Sequence, residues 1–109
     1  MSDDISIISL IEKDILSFTE VSRFPGIGIT GNIQNMLGAH NPNPGIKVSE
    51  EDGELFVSCE IIVYFGVNIP QLCYDIQTKI KNDIEKTTGM PVRAVNIRVE
   101  GIDKAPEHS

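Results

Sequence analysis

The side chains able to do chemistry are few and scattered. There are two cysteines, Cys59 and Cys73, and two histidines, His40 and His108. A zinc site needs His and Cys ligands in short, paired spacings. Here the cysteines are 14 positions apart and neither histidine has a second ligand beside it. No serine sits in a nucleophile elbow, and no Cys/His/Asp set assembles from the spacing. Glu50, Glu51, Asp52 and Glu54 crowd together, but at a hairpin tip. Carboxylates there are solvated, whereas acid–base work needs a cleft. Gly26-Ile27-Gly28-Ile29-Thr30-Gly31 has the form G-x-G-x-x-G. A dinucleotide site needs that run between a strand and a full helix. Here a helix precedes it and a short turn follows. The residue types therefore predict no catalytic residue, no cofactor and no metal.

Charge narrows the partners. The net charge is −7 over 109 residues. That opposes unaided binding to phosphate backbones or anionic lipid, which need a positive surface. No apolar run approaches the ~20 residues that span a bilayer. The acidic start, Met1-Ser2-Asp3-Asp4, is unlike a signal peptide. These features predict a soluble cytoplasmic chain. Cys59 and Cys73 fall on apolar faces and read as reduced packing residues.

The elements follow from periodicity. The organising stretch is Leu55 to Gly89. Leu55, Val57, Cys59, Ile61, Val63 and Phe65 alternate along one face of a strand. The other face carries Phe56, Ser58, Glu60, Ile62 and Tyr64 and is only half polar. A structural corner follows at Gly66, Asn68 and Pro70. Asn68 suits a helix cap, with Gln71 three residues on, although the residue before a proline resists the helical region and could move the cap to Ile69. Leu72, Ile76, Ile80 and Ile84 form the helix's core stripe, and Gly89 before Pro91 stops it. Upstream, Ile7, Ile8, Ile11, Ile15 and Phe18 predict a helix from Asp3 to about Val21.

Residues 24–45 are rich in Gly and Pro and read as a flexible connector, with one or two helical turns over Thr30 to Leu37. Ile46 to Glu50 is a short strand, and Asp52-Gly53 supplies a two-residue hairpin turn. Pro91 to Gly101 is a third strand, with Val95, Ile97 and Val99 on one face. Residues 103–109 read as a disordered tail. The expected order is α-β-β-α-β. It predicts a single α+β domain over 1–102, with a three-stranded mixed sheet and two helices on one face. The connection between the last two strands should be right-handed. Phe56, Ile62 and Tyr64, among Glu60, Asn96 and Arg98, then lie on the far face of the sheet. Either they form a self-association or partner surface, or the connector folds back over them.

The same residues carry a resemblance. Tyr64-Phe65-Gly66-Val67-Asn68-Ile69-Pro70 resembles the EYGVNIP corner of the bacterial alkaline-shock, or envelope stress response, protein family. Asp52-Gly53-Glu54-Leu55 with Ile61-Ile62-Val63 resembles that family's hairpin. Thr88-Gly89-Met90-Pro91-Val92 and Val95 through Ile102 resemble its ending, with Arg98 where a His is customary. Ile11-Glu12-Lys13 and Pro25-Gly26-Ile27 are similar to its first helix and turn.

The resemblance implies a small, non-enzymatic protein of mostly Gram-positive bacteria, linked to envelope or alkaline stress. It also implies a cytoplasmic location, in some members at the membrane through a separate anchoring protein. The expected role is a scaffold that forms homo-oligomers or docks on such a partner. The alternative is a small RNA-binding module with a KH-like arrangement, which the charge and the Gly66 corner disfavour.

Overall fold

The computed structural model describes residues 2–26 and 43–105, with side chains from Ser6 onward. The order is α1 (Ser2–Leu16), β1 (Val21–Arg23), β2 (Ile46–Glu51), β3 (Glu54–Tyr64), α2 (Ile69–Thr88) and β4 (Val92–Asp103). This is an α+β fold with four strands where three were expected. The additional strand, β1, comes from a stretch read as helix end and connector. Predicted helical turns at Thr30 to Leu37, most of the Gly-rich run, His40 and His108 lie outside the described residues.

The sheet is built on β3. β2 pairs with its first half antiparallel, Ile46 opposite Cys59 and Glu51 opposite Glu54. β4 pairs with it in parallel from Leu55 opposite Val92 to Tyr64 opposite Asp103. A strand has two edges, and β4 occupies one along its whole length. β1, which pairs Val21 with Val63 and Arg23 with Ile62, must therefore share the other edge with β2. The mixed character of the sheet is as expected.

The alternation along β3 sets the core. Leu55, Val57, Cys59, Ile61 and Val63 are all buried, together with Leu72, Ile76, Ile80 and Ile84 of α2 and Ile7, Ile8, Ile11 and Ile15 of α1. Val48, Val95, Ile97 and Val99 pack against the same cluster. Phe65 departs from the expected row. The strand ends at Tyr64, Gly66 turns the chain with φ 93°, and Phe65 is left 75% exposed.

Local signals explain the helix ends. Asn68 caps α2, its Oδ1 accepting from the Gln71 N–H at 3.1 Å, so the cap does not move to Ile69. Gly89 sits in the left-handed region with φ 77°, and its N–H donates to the Glu85 carbonyl. Such a conformation costs a residue with a Cβ about 1 kcal/mol. α1 ends at Leu16, not near Val21. Ser17 donates through its hydroxyl to the Asp14 carbonyl, and its N–H is shared between the Lys13 and Asp14 carbonyls. Phe18 N–H to Ile15 and Val21 N–H to Phe18 tighten the chain further. Such competing side-chain and i→i−3 bonds close a helix.

The two-residue turn of the β2–β3 hairpin has positive φ at both positions, 53° at Asp52 and 80° at Gly53, the type I′ geometry. The described ends of the connector between β1 and β2 are packed against the domain. Phe24 is buried, and Asn43 is fully buried, its amide donating to Glu12 Oε2 and its Oδ1 accepting from the Gly45 N–H. At the other end β4 continues through Asp103, so the tail does not begin there.

Two measurements follow. Asn68→Ala should lose about 1 kcal/mol of stability by urea unfolding, while Asn68→Asp should retain most of it. Cys59 is fully buried and its thiol is pushed up to about 12 by that burial, whereas Cys73 is half-buried. A thiol reagent at pH 8 should label Cys73 in the folded protein and reach Cys59 only on unfolding.

Candidate functional site: the outer sheet face and its free corner

Phe56, Ser58, Glu60, Ile62 and Tyr64 point away from the helices because their β3 neighbours point toward them. The parallel register sets Ala94 beside Phe56, Asn96 beside Ser58, Arg98 beside Glu60 and Asp103 beside Tyr64. The six expected surface residues therefore do share one face. Their exposure differs. Asn96 and Arg98 are exposed, Phe56, Glu60 and Tyr64 are half-buried, and Ile62 is buried.

Ile62 is buried by its own sheet. On β4 its neighbour is Gly101, and Ile62 lies against that glycine closely enough that an added Cβ would sit in ordinary contact with Ile62 Cγ1 at 3.8 Å. Over it passes a strap. Arg23 Nε donates to Asp103 Oδ2 at 3.0 Å, and the Ser22 hydroxyl donates to the same oxygen. Arg23 lies on β1 and Asp103 on β4, so the bridge crosses β3 between Ile62 and Tyr64. The guanidinium first, and then the serine hydroxyl, hold the Asp103 carboxyl below its usual range. Asp103 is thus kept ionised, which suits a tie and not a proton donor.

The face is not a phosphate cradle. Arg23 is paired with Asp103, and Arg98 Nε lies 2.6 Å from Glu100 Oε2. Each guanidinium on this face already faces a carboxylate, which lowers its value to a polyanion.

The corner residues act as scaffold. Gly66 turns the chain, Asn68 caps α2 and Pro70 stands in its first turn. The apolar surface that the sequence did not flag lies beside them. Phe65 and Ile102, 75% and 57% exposed, line one shallow depression with Asp103, Lys104 and Ala105. The signal was available: a glycine following Phe65 marks the end of the strand and of the alternation.

One edge of the sheet is also open. Only β3 pairs with β4 among the described strands. Near its start the outer edge is covered by side chains of α2. Gln77 Nε2 donates to the Val95 carbonyl at 2.9 Å, Lys81 Nζ to the Val92 carbonyl at 3.4 Å, and the Val92 N–H to Glu85 Oε2 at 2.8 Å. From Asn96 to Ile102 no described strand covers it.

The strap has a measurable role. It anchors β1, whose neighbouring residue Glu20 accepts from the Tyr64 N–H. Asp103→Ala should speed hydrogen exchange at Tyr64 while leaving the β2–β3 amides protected. Because its folded pKa is lowered, the carboxylate's contribution is present above the ordinary value of 3.8 and is lost as pH falls through the lower folded value. The Tyr64 protection should weaken in acid accordingly.

Comparison with known proteins gives a consistent result. Uncharacterized protein YloU of Bacillus subtilis (strain 168) is 31% identical over 74 residues, covering 68% of this chain and 62% of that protein. Uncharacterized protein YqhY of the same organism is 28% identical over 82 residues, covering 75% of this chain and 60% of its own length. A Streptococcus pyogenes protein, also named as uncharacterized, is 34% identical over 61 residues, covering 54% of this chain and 47% of its own. The matched stretch thus spans about half to three-fifths of these relatives. No solved structure matches. A family profile covers residues 7–104, including both helices' packing stripes, the corner and β4. This chain belongs to the alkaline-shock protein 23 family, which has a cell envelope-related function.

Proposed function

We propose that the protein is a non-enzymatic scaffold of the cell envelope that acts by self-association or by docking on a membrane-anchored partner. The observation that carries this is the exposed Phe65–Ile102 corner where β3 and β4 end, beside the open edge of β4. Exposed aromatics beside an unpaired strand edge are what associating surfaces use. A partner strand laid on residues 96–102 would satisfy the free backbone groups and bring apolar side chains onto the corner. No described helix is long and apolar enough to cross a membrane, so attachment to the envelope is assigned to the partner. The family's cell envelope-related function supports this reading.

Sedimentation over a range of concentrations tests it. The wild-type chain should associate, and the double variant Phe65→Ser with Ile102→Ser should associate at least about tenfold more weakly. A wild-type chain that stays monomeric at every concentration, and binds no membrane-anchored protein, would sink the proposal. Retention on RNA at low salt that is lost at high salt would favour the nucleic-acid alternative instead.

A further inference from the structure

The two helices carry the same pattern where they meet. It reads Ile11-Glu12-Lys13-Asp14-Ile15 in α1 and Ile80-Lys81-Asn82-Asp83-Ile84 in α2. All four isoleucines are fully buried. An Asp one position before a buried residue and three after another lies on the margin of the buried stripe. Each helix therefore delivers one carboxyl to the seam between them.

Asp14 is only 4% exposed, and its Oδ2 receives no hydrogen bond from any N–H or O–H among the described residues. What lies within hydrogen-bonding reach is the carboxyl of Asp83. Two ionised carboxylates offer only acceptors and repel each other. One proton between them turns that contact into a hydrogen bond.

The other charges acting on Asp14 are Lys79 of α2 and Lys13 of its own helix. Lys79 is 3.9 Å from Asp83, partly exposed, and so engages the far carboxyl. β1 and β2, which also pack on α1, contribute none of the charges acting on Asp14.

We propose that Asp14 and Asp83 form a proton-held latch between α1 and α2, closed by one shared proton and loosened when that proton leaves. The direction of the response follows from burial. Desolvation, and then the hydrogen bond and charge of Asp83, raise Asp14 from 3.8 to about 7, against a smaller pull from the two lysines. The folded chain thus holds a proton that the unfolded chain has released. That contribution is complete below about 3.8 and is lost as pH rises through about 7. Loosening the seam on the alkaline side would free the isoleucine stripe of α1 from α2.

Thermal unfolding of the full chain between pH 5.5 and 9 tests the latch. Wild type should lose roughly 5 °C or more in Tm across neutrality. Glu51→Gln, which removes one exposed charge from the hairpin, should lose as much. D14N should be nearly flat, because its amide donates to Asp83 without titrating. A D14N profile as steep as wild type would overturn the proposal. If D14N does not fold, carboxyl-carbon NMR of the wild-type chain decides the matter. An Asp14 midpoint near neutrality, displaced to lower pH by D83N, supports the latch; an ordinary carboxylate midpoint refutes it.

Discussion

The rest of the molecule depends on the alternation of β3. Its inward row, Leu55 to Val63, is buried without interruption, and this commits every other residue of the strand to the opposite face. A slip of one position would turn Cys59 and Ile61 outward and bring Ser58 and Glu60 into the core. The cost would include burying a charge without a partner. Both edges are also committed, to β4 on one side and to β2 and β1 on the other. A strand constrained on two faces and two edges leaves little choice of register to its neighbours.

The outer face gains its character from that same constraint. It is neither a wet surface nor a second core. Ile62 is buried beside Gly101 and beneath the tie between Arg23 and Asp103. Phe56 and Tyr64 remain half-covered, while Phe65, just past the strand end, is 75% exposed. Polarity here rises and falls along the strand, from half-buried Phe56 through exposed Ser58 to buried Ile62.

Much of this was legible in the residues. The α2 stripe, its Asn68 cap and its Gly89 stop depend on local spacing and local hydrogen bonds, and the sequence states both. The two-residue hairpin is likewise a local matter of Asp52 and Gly53. What was not legible depends on distant contacts. Val21–Arg23 is too short and mixed to announce itself as a strand; it becomes one because Val63 and Ile62 offer an edge. Asp103 looked like the first residue of a tail, yet a partner some 80 positions earlier holds it in the sheet. The Phe65–Ile102 corner was marked only by the glycine after Phe65, not by the alternation itself. Periodicity assigns a face to a side chain but does not say where a strand's neighbours run out.

The placement of β1 and β2 end to end has one further consequence. Arg23 meets Ile62 and Ile46 meets Cys59, so the chain leaves and rejoins the same edge three residues apart, roughly 10 Å. The sheet therefore dictates where the intervening stretch is attached, but not how many residues it holds. Doubling the length of a flexible loop costs only about 0.6 kcal/mol in closure entropy. The Asp52–Gly53 turn has no such latitude, because a single inserted residue would have to be absorbed by the pairing itself. Length variation among natural versions of this fold, and any engineered payload, has its natural place in the first of these joints and not in the second.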